Sequence, residues 1–104
     1  MHDKPHIVPT LDMLRSRRDE IIALAEKHGA FDVRVFGSVA RGVATPRDVD
    51  LLVAFRDGAS IFDQVGLWLD LQDLLGCEVD LVTDDEHPRR ERFMQWVRKD
   101  AVAL

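Results

Sequence analysis

The chain has 104 residues, a net charge of −5, 46% hydrophobic and 32% charged residues, the make-up of one globular domain with a single core. This acidic balance argues against a broad basic face, so direct binding of a long nucleic acid is not expected. The single cysteine, Cys77, excludes an intramolecular disulfide, and no apolar run is long enough to cross a bilayer.

Residues 1–9 carry two prolines and two histidines without periodicity and read as a flexible lead-in to a domain over residues 10–104. They lack the apolar stretch of a signal peptide, so the expected location is cytoplasmic. Thr10 is placed to cap a helix running to about His28, with Leu11, Leu14, Ile21, Ile22 and Ala25 at helical spacing and Gly29 to end it. Asp32–Phe36 alternates as a short strand stopped by Gly37, and residues 38–42 read as a helical turn. A second strand, Val49–Phe55, is apolar throughout except for Asp50. Ser60 and Asp63 form the pattern of a capping box. The helix they open, with Ile61, Val65, Trp68, Leu71 and Leu75 inward, stops at Gly76. Glu78–Val82 reads as a third strand, and a last helix from about Arg89 buries Phe93, Trp96 and Val97.

This order predicts an α/β (α+β) fold, a small mixed sheet with helices packed on it. The loop between the first two strands is too short for a crossover helix, so these strands are antiparallel neighbours. The third, reached through a long helix, runs parallel to the second.

Three acids stand out. Asp48 and Asp50 are two residues apart on one strand and therefore leave the same face of the sheet. Asp50 interrupts a run that looks buried on both sides, and Asp80 does the same in the third strand. An unpaired, desolvated carboxylate costs several kcal/mol, and a second beside it makes ionisation harder. A divalent hard cation resolves the conflict: Mg²⁺ takes oxygen ligands and keeps positions open for water and phosphates. Taken one at a time, Asp48 also suits a strand start and Asp80 a solvent-facing edge position. Gly37-Ser38 follows the first strand directly, where outward-pointing amides and a hydroxyl form a cradle for an anion. The glycine spacing and the missing lysine exclude a Walker loop or a dinucleotide fingerprint.

Gly37-Ser38-Val39-Ala40-Arg41-Gly42, then Asp48-Val49-Asp50-Leu51-Leu52-Val53, then Glu78-Val79-Asp80-Leu81-Val82 resembles the minimal nucleotidyltransferase family of the DNA polymerase β superfamily. The resemblance runs from the first helix to the last. It implies that Gly37 and Ser38 hold a nucleoside triphosphate, that Asp48 and Asp50 bind Mg²⁺ (two ions), and that Asp80 holds the second metal and helps deprotonate the acceptor. Arg41 is assigned either to the phosphates or to a neighbouring carboxylate. Arg47 departs from the small polar residue usual before the first Asp.

Members of this family, the MntA-type antitoxins among them, often pair with a HEPN-type ribonuclease toxin and attach AMP from ATP to one of its tyrosines. This chain contains no tyrosine, so such an acceptor must belong to a partner, and a hetero-oligomer with the toxin is implied. Two alternatives stay open: an antitoxin acting by contact with a vestigial nucleotide site, and a transferase acting on a small molecule or an RNA end. The remaining candidates have plainer readings. Arg89, Arg90 and Arg92 fit a solvated helix face. His2, His6, His28 and His87 lack metal-ligand spacing and read as surface or capping residues, and Cys77 reads as a core or near-core residue. Trp68 and Trp96 read as facing the core or a partner.

Overall fold

The computed structural model describes residues 8–43, 46, 48–85 and 88–104. The expectations for the lead-in before Val8, for His2, His6 and His87, and for Arg47 lie outside them.

The first helical segment is two helices, not one: α1 (Leu11–Ser16) and α2 (Arg18–Lys27). Thr10 caps α1 through its hydroxyl, which accepts from the Met13 amide. The break falls at Arg17, where the Ser16 hydroxyl donates to the Met13 carbonyl at 2.6 Å. Such local side-chain bonds compete with the helical ladder. Asp19 and Glu20 then favour a fresh N-terminus. Gly29, in the left-handed region, follows His28 at the end of α2.

Four strands form one mixed sheet in the order β3-β2-β1-β4. β1 (Ala30–Phe36) pairs antiparallel with β2 (Asp48–Phe55), and β2 pairs parallel with β3 (Glu78–Thr83), as the loop lengths predicted. β1 starts earlier than expected and does not alternate cleanly. Its register shifts between Phe31 and Arg34, and Asp32 there has φ of 55°, the mark of a β-bulge. A two-residue strand, β4 (Val102–Ala103), adds to the outer edge of β1 and is too short to read from sequence.

α4 (Ile61–Leu75) opens with the Ser60/Asp63 capping box and ends at Gly76 with φ of 67°. Its buried stripe is Leu67, Leu71 and Leu75; Ile61, Val65 and Trp68, expected inward, are exposed. Apolar residues occupy two neighbouring stripes of this helix, and the leucines win the core. Trp68 stays at the rim because its indole N–H donates to the Val79 carbonyl at 2.6 Å, over the edge of β3. His28 reaches across to Asp70, its Nε2 2.7 Å from Oδ2. Gly66 makes room for that ring, since a Cβ there would lie 2.7 Å from it.

A 3-10 turn (Pro88–Arg90) leads into α5 (Glu91–Asp100). α5 buries Met94 and Val97, whereas Phe93 and Trp96, expected inside, are about half exposed. The patch beneath it is narrow, and the stripe formed by Met94, Val97 and Ala101 fills it. Trp96 stands at the rim with its ring edge-on to Phe36.

The core divides by face. Val35, Val49, Leu51, Val53 and Val79 of the sheet pack with Leu14, Ile21, Ala25, Leu67, Leu71 and Leu75 of α1, α2 and α4. On the opposite face Phe36 and Leu52 pack with Met94 and Val97 of α5. Arg34 of β1 and Arg98 of α5 both pair with Asp84, which lies just past β3, and this tacks α5 to the sheet.

Candidate active site

The parity of the strands sets the site. Phe36, Asp50 and Asp80 stand side by side across β1, β2 and β3, since Phe36 is opposite Asp50 and Asp50 opposite Asp80. They share the face that α5 covers, but beyond its footprint. Asp48, two residues before Asp50, leaves the same face. One oxygen from each of Asp48, Asp50 and Asp80 lies within 4.8 Å of the others. The three acids singled out in the sequence therefore do converge.

The cluster strains its own electrostatics. The Asp50 carboxyl is pushed up to about 6, first by burial, then by a hydrogen bond to Asp80 and by the negative charges of Asp80 and Asp48. Arg41 opposes this, but only in part. Asp48 and Asp50 are half-buried, whereas Asp80, expected to interrupt a buried run, is exposed on the edge strand β3, so the carboxylates remain reachable by a hydrated ion. Three carboxylates, each offering a hard oxygen donor, suit a divalent hard metal.

Gly37 begins α3 (Gly37–Ala40), a single helical turn directly after β1. Its φ is 74°, and a Cβ built on it would lie 2.1 Å from Asp50 Oδ2. Glycine is thus required twice over, by the backbone and by the carboxylate pressed against it. Ser38 follows, half-buried, and its carbonyl accepts from the Val43 amide, closing the turn. Arg41 caps the turn and pairs with Asp100 at 3.1 Å, the carboxylate alternative weighed from the sequence.

Asp100 is the residue that sequence reading missed. It ends α5, yet its Oδ2 accepts from the Gly37 amide at 2.7 Å as well as from Arg41. The one sequence signal was faint: an acid closing a helix, where the dipole favours a cation. Cys77, half-buried against the core, carries a thiol pushed up by burial and by the charge of Asp48, which keeps it protonated. Arg90, read as part of a solvated helix face, instead sits half-buried in the 3-10 turn, where it pairs with Asp85 and lies over the Phe93 ring.

Comparison with known proteins places the chain in a family. A family model for the nucleotidyltransferase domain matches residues 21–102. A candidate protein adenylyltransferase of Methanocaldococcus jannaschii is 41% identical over 71 residues, 66% of this chain and 76% of that protein. The solved structure of a candidate minimal nucleotidyltransferase superposes with a TM-score of 0.77 at 44% identity, covering 92% of this chain and 97% of the other. The fold is also that of a chain in the complex of a tri-AMPylated Shewanella oneidensis HEPN toxin with its MNT antitoxin. There the TM-score is 0.65 at 22% identity, over 88% of this chain and 71% of that one. The chain belongs to the nucleotidyltransferase domain family, in its minimal form.

Proposed function

We propose that this nucleotidyltransferase is a Mg²⁺-dependent protein adenylyltransferase that moves AMP from ATP onto a tyrosine of a HEPN-type toxin, and so acts as its antitoxin. The observation that carries the reading is the meeting of Asp48, Asp50 and Asp80 beside the Gly37-Ser38 turn. The naming of the M. jannaschii relative and the toxin complex of like fold support the acceptor class. The exposed apolar residues Ile61, Phe62, Val65 and Leu69 of α4 support a protein partner.

In this reading the Gly37 amide and the Ser38 hydroxyl hold the triphosphate, and Arg41 steadies it. Asp48 and Asp50 would hold Mg²⁺, and Asp80 would hold the second ion on the acceptor side. The chemistry supplied by bound Mg²⁺, two ions being the expectation, is neutralisation of the triphosphate and activation of the attacking oxygen. The tyrosine oxygen forms a bond to the α-phosphorus while the bond from that phosphorus to the β-bridging oxygen breaks and pyrophosphate leaves. Asp80 receives the phenolic proton. The protein's contribution is position and charge, as in other phosphoryl transfers.

The test is to incubate the chain with its HEPN-type partner, ATP and Mg²⁺ and to weigh the partner. A gain of one or more AMP groups is expected, and an unchanged mass overturns the reading. An antitoxin acting by contact alone would still neutralise the toxin in cells as the double variant Asp48→Asn, Asp50→Asn; the proposed enzyme would not.

A further inference from the structure

We infer that Asp100 is a tethered anion that stands in for a phosphate in the nucleotide-free protein and must leave before the triphosphate can seat. This rests on the reading of the Gly37-Ser38 turn as the triphosphate cradle, and adds to it a means of regulating that cradle.

Two donors converge on one oxygen. The Gly37 amide lies 2.7 Å from Asp100 Oδ2 and the Arg41 guanidinium 3.1 Å from the same atom. An amide and a guanidinium are the groups that would bind a phosphate oxygen, and a carboxylate oxygen takes them with the same geometry. The placement is not one the helix itself favours. Asp100 is the last residue of α5, where the macrodipole repels negative charge. What delivers it is packing: Met94 and Val97 seat α5 on Phe36 and Leu52, which brings its end over the residue after Phe36. The side chain is 19% exposed, so its bond from the Gly37 amide is partly shielded from water, whereas the Arg41 side of the pair is open to it.

A triphosphate reaching Asp50 and Asp80 through this cradle meets a negative charge already on its donors. Both cannot occupy Gly37 and Arg41. Release of Asp100 frees the amide and hands the Arg41 guanidinium, now neutralised by a carboxylate, to the phosphates. Binding is thereby coupled to the end of α5 and to Ala101, which leads into β4.

The test measures binding of α,β-methylene ATP with Mg²⁺ by calorimetry to the wild-type chain, to Asp100→Asn and to Asp57→Asn. Asp57, exposed in the turn after β2, controls for a general loss of negative charge. Asp100→Asn is expected to bind roughly tenfold tighter, the scale of one charge-assisted hydrogen bond removed from a competitor. Asp57→Asn should stay within about twofold of wild type. Unchanged or weaker binding by Asp100→Asn, with measurable binding by wild type, overturns the displacement and leaves the triphosphate cradle standing. Binding by none of the three takes down the cradle, and the displacement with it. Should Asp100→Asn fold poorly, the wild-type chain answers by NMR. The Asp100 carboxyl carbon and the Gly37 amide must both shift on saturation with the analogue, and an unmoved Asp100 signal sinks the inference.

Discussion

The two faces of the sheet are built to different ends. One is sealed by α1, α2 and α4 over Val35, Val49, Leu51, Val53 and Val79, each almost wholly buried. Among the described residues the other is covered by α5, on Phe36 and Leu52, and beyond α5 the same face presents Asp48, Asp50 and Asp80. Leu51 and Leu52 are adjacent and both fully buried, yet one belongs to the sealed core and the other borders the carboxylates. Stability and chemistry are thus separated by a single step along β2. Cutting into the sealed face should cost folding, and cutting into the open face should cost function.

The largest effect is expected on the open face. Asp50→Asn should lower AMP transfer at least about 100-fold, the size of loss when one charge-stabilising group leaves a site, with the melting temperature unchanged or raised. The stability follows from Asp50 itself: its carboxylate is desolvated and faces two like charges, so a neutral amide relieves the fold. A fall in melting temperature would show that Asp50 holds the structure together. Gly37→Ala should lower transfer comparably by another route. Its Cβ collides with Asp50 Oδ2, and the left-handed φ of 74° adds about 1–2 kcal/mol of strain. Intact-mass assay beside thermal melting separates the two variants, since only Gly37→Ala should lose stability.

On the sealed face, Leu71→Ala should cost about 2–5 kcal/mol. That is a large share of the roughly 5–15 kcal/mol that holds a domain of this size. Transfer per folded molecule should be kept, because Leu71 packs into the cluster on the far side of the sheet from the carboxylates. Urea unfolding together with the transfer assay checks both halves, and equal loss in the two would erase the division between the faces.

The same division explains what was legible beforehand. The pairing directions of β1, β2 and β3 and the three acids follow from rules that act over a few residues: loop length, period-two alternation, and charge within an apolar run. Which of two apolar stripes a helix buries does not, because it depends on how wide a footprint the sheet offers. On α4 and α5 the bulky aromatics Trp68, Phe93 and Trp96 lost to slimmer neighbours and took the rim. The break at Arg17 coincides with one hydroxyl bond, Ser16 to Met13, that the apolar spacing does not encode. Asp100 could not be read, since nothing local links the end of α5 to Gly37; only the docking of the whole helix does.

The smallest expected effect is the dependence on pH, and it has opposite signs in two places. Asp50 titrates near 6 in the folded chain, above its unfolded value. The folded state therefore binds the extra proton, and its contribution to stability is full below about pH 4 and fades as pH rises towards 6. Asp84 is the reverse. Burial raises its carboxyl, but hydrogen bonds from Arg34 and Arg98 outweigh that and hold it below the usual range. Its contribution is present at neutral pH and is lost as pH falls below about 4. Mg²⁺ held as proposed would compete with the Asp50 proton, so the stabilisation it brings should grow as pH rises through 6. Melting curves with and without Mg²⁺ at pH 5 and pH 7.5 measure this, with a shift of a few degrees expected only at the higher pH. Asp50→Asn should flatten that dependence, whereas Asp84→Asn should leave it intact while removing the share of the acid loss of stability that Asp84 carries. An equal Mg²⁺ shift at both pH values would mean that the ion binds without Asp50, and the open face would then need a different explanation for its acids.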